Sequence, residues 1–254
     1  MQYTLAAFYK FSEQSLSSER LLALRLEIQK VCADQAILGT VLLAPEGING
    51  TVACLDSGAL SCFTAFVAEI PELLGLEFKY SKAETGIQPF VKAKVLIKKE
   101  IVALGIPGLN PAKETGHFLD AKAWDLLLED PEVLCIDTRN AYEIEYGSFK
   151  NAINPKTRSF KQFPAFIKAH FDPEKHKKIA MFCTGGIRCE KASAYMLSLG
   201  FENLYQLKGG ILKYLEETPN NSSLNNDHDG PWQGDCFIFD QRWSVNRQHL
   251  LKSS

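Results

Sequence analysis

The chain has 254 residues, of which 46% are hydrophobic and 23% are charged, a composition typical of a folded globular protein and a length sufficient for two domains. The formal net charge of −2 excludes a protein that coats nucleic acid through bulk positive charge, although it permits a local basic face. No apolar stretch approaches the roughly 20 residues that cross a bilayer, so we expect no membrane-spanning segment.

The beginning of the chain and its cysteines predict where the protein works. Residues 1–4 lack the charged and apolar regions that open a secretory signal. The seven cysteines are scattered and form no compact framework. Without a signal, such thiols are expected to stay reduced, and we therefore predict a cytoplasmic protein.

Strands and helices alternate over the first hundred residues. Helical spacing predicts one helix that begins at Ser17 or Ser18 and a second over residues 57–70. The dipeptide Asn49-Gly50 is a strong hairpin signal, so we place the turn between the second and third strands there. Apolar segments predict strands at residues 4–11, 37–43, 51–55, 76–80 and 91–97. The order βαββαβ predicts a ferredoxin-like α+β sandwich over residues 1–104.

The rest of the chain predicts a linker, a second domain and an extension. Glycines and prolines indicate a linker at residues 105–116. Residues 117–219 alternate strands and helices as a doubly wound parallel sheet does, and the strands fall at residues 133–136, 179–182 and 203–207. Residues 220–254 form a C-terminal extension. We expect its polar beginning, residues 220–227, to be mobile and its later aromatic residues to pack on a domain.

The clearest chemical signal is a strand, a glycine-bearing loop and a helix at residues 179–192. Cys183 follows the strand, where open α/β sheets bind ligands. Two glycines allow the loop to curl, so that its N–H groups and the helix start form a cradle for an anion. We expect this cradle and the Arg188 cation to lower the pKa of Cys183 below about 8.5 and to make it a nucleophilic thiolate. The cradle consists of Thr184, Gly185, Gly186, Ile187 and Arg188.

Three further residues have two interpretations each. Cys189, six positions after Cys183, is either a thiol that resolves an oxidised Cys183 or a small buried residue behind the loop. Asp137 and Arg139 follow the strand at residues 133–136. They either support the Cys183 loop or form a structural ion pair that joins neighbouring loops.

Basic residues predict a nucleic-acid surface or a solvated one. Alternation along residues 91–97 places Lys92, Lys94 and Lys98 opposite an apolar row of Val91, Ala93, Val95 and Ile97. These three lysines form a basic strand face that either contacts RNA phosphates or is ordinary solvated surface. Lys82, earlier in the same lysine-rich stretch, is a further candidate for contact with RNA. Tyr80 and Phe90 either stack on a base or pack in the core. Lys156 and Arg158 are expected at the sheet edge of Cys183, where they guide an anion.

Metal and flavin signals are missing from the sequence. The five histidines show no ligand spacing, and no Cys-x2-Cys pair occurs. No Gly-x-Gly-x-x-Gly fingerprint is present either. We therefore expect no metal site and identify no flavin site.

The second domain resembles a rhodanese domain. Asp137-Thr138-Arg139, Glu143 and residues 147–155 are similar to that domain's first signature, and residues 200–211 are similar to its closing strand and Gly-Gly turn. Four residues separate Cys183 from Arg188, one fewer than in the related phosphatases. The shorter loop suits a small group such as the outer sulfur of a persulfide.

The whole chain resembles the bacterial rhodanese-like tRNA uridine hydroxylase family. The matching motifs lie at residues 42–52, 90–95, 136–140, 183–191 and 234–240. The resemblance implies hydroxylation at C5 of the wobble uridine, position 34 in the anticodon loop of tRNA, with molecular oxygen as co-substrate and Cys183 as the essential nucleophile. Two alternatives stay open: a persulfide sulfurtransferase, and a tRNA-binding module without catalysis. The sequence predicts no oligomeric state.

Overall fold

The computed structural model describes residues 2–218 and 231–246, and these form two compact units. The first unit comprises residues 2–103 together with 239–243, and the second comprises residues 104–218, 231–238 and 244–246. Residues 105–116, the predicted linker, contain no helix or strand and belong to the second unit. Within the described ranges, no helix is both long enough and apolar enough to cross a membrane.

The first unit is a five-stranded sheet with two helices on one face. Its elements are β1 (Thr4–Phe11), α1 (Ser18–Asp34), β2 (Leu38–Ala44), β3 (Gly47–Cys54), α2 (Ser57–Ala68), a 3-10 turn (Pro71–Leu73), β4 (Glu77–Lys82) and β5 (Ala93–Ile97). The strand order is β4-β1-β3-β2-β5, and only the β2–β5 pair is parallel among the pairs of this sheet. The first four strands confirm the ferredoxin-like prediction, and β5 is a fifth strand added at the edge.

The hairpin between β2 and β3 turns four residues earlier than predicted. Ala44 pairs with Gly47, so Pro45 and Glu46 form the turn and the Asn49-Gly50 dipeptide lies inside β3. Proline supplies a fixed φ for the turn. Gly47 has a φ of 139°, and a Cβ there would collide with the backbone of β1. The Asn49 amide instead donates to the Ile101 carbonyl at 3.0 Å.

The core of the first unit lies between the helices and the sheet. Ser17 caps α1 by accepting the Arg20 N–H at 3.2 Å, and Leu21, Leu24 and Ile28 face the sheet. Tyr80 packs against this core, whereas Phe90 packs against a smaller cluster of Leu5, Ala53 and Ala83. Tyr80 and Phe90 therefore both pack against buried hydrophobic residues, which is one of the two interpretations given to them above.

The second unit is built on a four-stranded parallel sheet of order β6-β10-β9-β7. Its strands and helices are β6 (His117–Leu119), α3 (Ala121–Leu128), β7 (Val133–Asp137), α4 (Ala141–Ile144), β8 (Gly147–Phe149), a 3-10 turn (Phe160–Gln162), α5 (Phe163–His170), β9 (Lys178–Phe182), α6 (Ile187–Leu197), β10 (Asn203–Leu207) and α7 (Gly210–Glu217). The parallel order confirms the predicted fold class.

The later part of the chain adds three short strands. These are β11 (Trp232–Gly234), which pairs antiparallel with β8, and β12 (Cys236–Phe237), which pairs antiparallel with β13 (Ser244–Val245). Phe149 of β8 packs edge-on against Phe182 at 4.8 Å between ring centroids and against Trp232 at 5.2 Å. This aromatic cluster supports the end of β9. The polar segment predicted to be mobile, residues 220–227, lies outside the described residues.

Candidate active site

Cys183 lies where the central strand β9 ends, at the carboxyl edge of the parallel sheet. The loop that follows leads directly into α6, and its last residue, Gly186, has a φ of 105°. This left-handed backbone, which glycine adopts without strain, turns the Gly186 N–H toward the sulfur. The N–H donates to Cys183 Sγ at 3.1 Å. Cys183 is fully buried, so the loop encloses the sulfur.

The N-terminus of α7 fixes the same loop from the other side. The Ile211 N–H donates to the Cys183 carbonyl at 3.0 Å, and the Leu212 N–H donates to the Thr184 carbonyl at 3.1 Å. A Cβ on Gly210 would lie 2.5 Å from the Cys183 carbonyl oxygen. Only glycine therefore permits this approach, which is a physical role for the Gly-Gly turn noted in the sequence.

Electrostatics favour an ionised Cys183. Burial alone raises the pKa of the thiol, since it penalises the charged form. Burial is the largest single effect, but four effects that lower the pKa outweigh it in sum: a hydrogen bond from the Cys189 thiol, the positive charge of Arg188, and the backbone N–H groups of Arg188 and Gly186. Together they lower the pKa of Cys183 from 9.0 to about 5. At neutral pH the sulfur is a thiolate.

Cys189 is the neutral member of the thiol pair. Burial and the neighbouring Cys183 thiolate hold the pKa of Cys189 well above its usual value. Its sulfur lies 3.6 Å from Thr138 Oγ1, and the Thr138 hydroxyl donates to the Phe182 carbonyl at 3.0 Å. Cys189 is therefore both buried behind the loop and in hydrogen-bond contact with the nucleophile, a position that allows either sequence interpretation.

Glu143, which the sequence analysis did not propose as a site residue, holds Arg188. Arg188 donates through both terminal nitrogens to the Glu143 carboxylate, at 2.6 Å and 2.8 Å. Glu143 also accepts the Asn140 N–H at 3.0 Å, which anchors its carboxylate at the start of α4. Burial lowers the pKa of Arg188, whereas the hydrogen bonds and charge of the Glu143 carboxylate raise it. The net result is a pKa above the usual arginine value, so the guanidinium stays charged. A Glu three residues after Asn at a helix start is a capping signal, and it was available in the sequence.

Asp137 and Arg139 form the buried ion pair of the second interpretation. The Arg139 guanidinium donates to the Asp137 carboxylate at 2.9 Å and 2.6 Å, and both side chains are buried. Arg139 also donates to the Gly147 carbonyl at 2.6 Å, and Ser148 Oγ donates to Asp137 at 2.9 Å. The pair thus joins the end of β7 to β8.

The candidate RNA-binding lysines of the first unit lie at two edges of its sheet. Lys82 ends β4 at one edge of the first unit's sheet, while β5, with Lys94 in it and Lys92 and Lys98 beside it, is the opposite edge. All four side chains are exposed. The predicted apolar row is also incomplete, because Val91 is 76% exposed and lies outside β5. The predicted strand was therefore two residues too long at its start, and contact of these lysines with RNA stays a prediction.

Lys156 and Arg158 lie at the carboxyl edge of the second unit's sheet. Ile153 bridges Ile136 of β7 in parallel, so the residues after it emerge at that edge. The Thr157 carbonyl between the two basic residues accepts the N–H of Ala141, the first residue of α4. Both basic side chains are exposed. They are therefore near the helix that carries Glu143.

Among residues 2–218 and 231–246, no three His, Cys, Asp or Glu side chains are grouped so as to hold a metal ion. The site is instead made of sulfur, guanidinium, carboxylate and backbone N–H groups. Such a set stabilises an anion and supplies a nucleophile.

A buried thiolate at the end of a central parallel strand, in a loop that opens a helix, defines a rhodanese-type α/β domain. Residues 120–217 match the family model of the rhodanese-like domain, and residues 3–101 match the model of the UPF0176 acylphosphatase-like domain. The chain belongs to the rhodanese-containing UPF0176 family, whose architecture joins these two domains. The family resemblance stated from the sequence is therefore confirmed.

Several solved structures are similar to part of the chain. A rhodanese-related protein of Thermoplasma volcanium is 25% identical over 40% of this chain and 92% of its own, with a TM-score of 0.34. A rhodanese-like domain from Anabaena sp. is 20% identical over 48% and 80%, with a TM-score of 0.37. A Rhodopseudomonas palustris protein described as a possible tyrosine phosphatase is 22% identical over 37% and 76%, with a TM-score of 0.33.

Proposed function

We propose that this protein hydroxylates C5 of the wobble uridine, position 34 of tRNA, and that Cys183 is its nucleophile. The observation that carries the role of Cys183 is its ionised sulfur, whose charge is stabilised by Cys189, Arg188 and the loop N–H groups. The family architecture supports the choice of a tRNA substrate, because it matches the resemblance on which that substrate was expected.

The proposed chemistry uses the thiolate twice. Cys183 adds to C6 of the uracil, which places carbanion character at C5. C5 then takes one oxygen atom from molecular oxygen, while two electrons and two protons from an external donor reduce the second atom to water. Loss of the C5 proton and departure of the thiolate from C6 restore the double bond and release 5-hydroxyuridine. The N–H groups that hold the thiolate before addition also stabilise it as a leaving group.

The anticodon loop is a suitable substrate for this mechanism. Its bases are unpaired, so uridine 34 can swing out of the stack at low cost and enter a pocket. Lys156 and Arg158 are exposed at the sheet edge where Cys183 lies, and they would bind the backbone phosphates around the displaced base.

A sulfurtransferase is the second candidate, favoured by the rhodanese-like domain and the short loop between Cys183 and Arg188. In that reaction the thiolate attacks the outer sulfur of a donor, displaces the rest of the donor and becomes a persulfide anion. An acceptor thiolate then takes the sulfur and returns Cys183 to its starting state. A thiosulfate:cyanide assay with mass analysis of Cys183 tests this candidate.

The primary experiment is nucleoside mass spectrometry of tRNA from a host that makes no 5-hydroxyuridine of its own. The host carries the wild-type gene, the Cys183→Ala variant or the Cys62→Ala variant, which removes an exposed cysteine of the first unit. We expect 5-hydroxyuridine with wild type and Cys62→Ala and none with Cys183→Ala. Product with Cys183→Ala would refute the proposed role of the thiolate. No product from any form would leave sulfur transfer as the leading function, or a tRNA-binding module if the cyanide assay is also negative.

A further inference from the structure

Residues 239–243 form a turn that is fastened to the first unit by an arginine. Arg242 donates to the Asp240 carboxylate at 2.8 Å and 2.6 Å, and both side chains are nearly buried. The third nitrogen of the guanidinium reaches Ser81 Oγ at 3.0 Å and the Lys82 carbonyl at 3.3 Å, both on β4. The Gln241 N–H donates to the Pro89 carbonyl at 3.3 Å. The turn is therefore held at two places, by the end of β4 and by the segment that leads to β5.

This anchored turn displays two aromatic side chains. Phe239 is 62% exposed and Trp243 is 63% exposed. Trp243 also has a φ of 65°, a left-handed backbone that is uncommon for a bulky residue and costs on the order of 1 kcal/mol. Exposed aromatic surface lowers stability in water, and strain adds to that cost. Both features occur on a turn that a buried ion pair fastens to β4.

The charges around the turn favour an anionic partner. Two lysines lie next to the places where the turn is held, Lys82 at the end of β4 and Lys92 shortly before β5. The Lys82 carbonyl accepts a hydrogen bond from Arg242, and the Lys82 side chain is exposed. Lys92 lies three residues after Pro89, which contacts the turn, and its side chain is exposed as well. The Asp240 carboxylate is neutralised by Arg242, so it does not oppose this positive charge.

We propose that Phe239 and Trp243 form a stacking platform for unpaired bases of single-stranded RNA, with Lys82 and Lys92 binding the adjacent phosphates. Flat aromatic faces beside lysines are the elements with which proteins bind single strands, and every base offers a face to stack on. The choice of single-stranded RNA as the ligand rests on the proposed function, since the anticodon loop of tRNA contains unpaired bases. It adds an RNA-binding surface in the first unit, made of residues that the proposed chemistry does not use.

The test measures RNA binding without using catalysis. Full-length protein is titrated with a labelled single-stranded oligouridine and with a labelled anticodon stem-loop, and affinity is read by fluorescence anisotropy. Trp243→Ala and Phe239→Ala are each expected to weaken binding between about fivefold and a hundredfold, the range observed when a stacked aromatic is removed. Lys82→Ala should weaken binding less and reduce its dependence on salt. Phe118→Ala, an exposed phenylalanine of β6, and Lys30→Ala, an exposed lysine of α1, are matched controls expected to change neither.

A second readout keeps the test informative if Trp243→Ala does not fold. The other tryptophans, Trp124 and Trp232, are buried, so RNA should quench the fluorescence of exposed Trp243. Trp243→Phe should abolish that quenching and retain most of the affinity. Binding by Trp243→Ala within twofold of wild type, or absence of quenching in wild type, would overturn the proposal. Concentration-dependent dimerisation that Trp243→Ala abolishes without affecting RNA would also overturn it and assign the platform to a second copy of the chain.

The outcomes separate this proposal from the proposed function. Trp243-dependent RNA binding in a protein that yields no 5-hydroxyuridine supports the platform and refutes hydroxylation. Hydroxylation by a protein whose RNA affinity ignores Trp243 refutes the platform alone.

Discussion

Replacing Cys189 with alanine should make Cys183 a weaker acid. The Cys189 thiol donates a hydrogen bond to the Cys183 thiolate, and this bond is the largest of the effects that lower the pKa of Cys183. A hydrogen bond to a charged group contributes about 1.5–3 kcal/mol, and S–H is a weak donor, so we take the lower end of that range. At 1.36 kcal/mol for each pH unit, the loss raises the pKa of Cys183 by about one unit.

Ultraviolet absorbance of the thiolate measures this shift directly and does not require a reagent to reach the buried sulfur. The titration of each protein is taken as a difference from the same protein carrying Cys183→Ser. In wild type the absorbance should rise around pH 5, where Cys183 ionises. Burial raises the pKa of Cys32 to about 11 and that of Cys236 to about 12, so neither contributes in this range.

Cys135→Ala is the matched control for this titration. Cys135 is also a buried thiol of the second unit, and burial together with Asp137 holds its pKa well above the usual value. Its removal should leave the Cys183 midpoint unchanged. If the midpoint of Cys189→Ala equals that of wild type, the thiol pair is not what stabilises the charge. The reasoning would then be wrong, and Arg188 with the backbone N–H groups would have to account for the whole effect.

Three further predictions concern the stability of the site. Glu143→Gln removes the carboxylate that pairs with buried Arg188 and should lower the free energy of unfolding by about 3–5 kcal/mol in urea denaturation; an effect below about 1 kcal/mol would mean that water or the Cys183 thiolate replaces the lost carboxylate. Gly210→Ala pushes a Cβ against the Cys183 carbonyl and should lower both the melting temperature and the yield of 5-hydroxyuridine, whereas Gly185→Ala, whose Cβ meets no atom within 4 Å, should keep the melting temperature. Because the pKa of Cys183 is lower folded than unfolded, its ionisation stabilises the fold fully above the unfolded thiol's pKa, and this contribution disappears as pH falls through about 5. Unfolding free energies should therefore fall more steeply with acidification in wild type than in Cys183→Ser, and equal slopes would contradict the lowered pKa.

The parts of the site that could be predicted from the sequence are the parts formed by neighbouring residues. Cys183, Gly186 and Arg188 lie within six residues of one another, so a strand end, a glycine turn and a helix start are enough to bring them together. The parallel sheet was predictable for a similar reason, because the apolar strands and the helices between them alternate visibly. Both signals lie within short stretches of sequence, so the local backbone conformation is enough to produce the structures they predict.

Contacts between distant residues were not predictable in the same way. Glu143 precedes Arg188 by 45 residues, and only the adjacency of their loops at the sheet edge shows that the two form a pair. The Asn49-Gly50 signal failed because the register of β3 against its two neighbours places both residues within the strand. Each of these outcomes depends on strand order or register, which a single sequence does not state.

The electrostatics of the second unit do not by themselves select a reaction. Each buried arginine has a carboxylate partner, Asp137 for Arg139 and Glu143 for Arg188, and the charge on Cys183 is stabilised by the Cys189 thiol, by Arg188 and by the loop N–H groups. These groups stabilise the thiolate whenever it is present. In hydroxylation that is before Cys183 adds to the uracil and after it leaves the product. In sulfur transfer it is before the persulfide forms and after the acceptor has taken the sulfur. The same cradle therefore suits both reactions.

What distinguishes the two reactions is whether a uridine is delivered to the sulfur, and that depends on surfaces that bind RNA. Mutations that weaken RNA binding should therefore reduce hydroxylation while leaving thiosulfate:cyanide activity intact, whereas Cys183→Ala should abolish both.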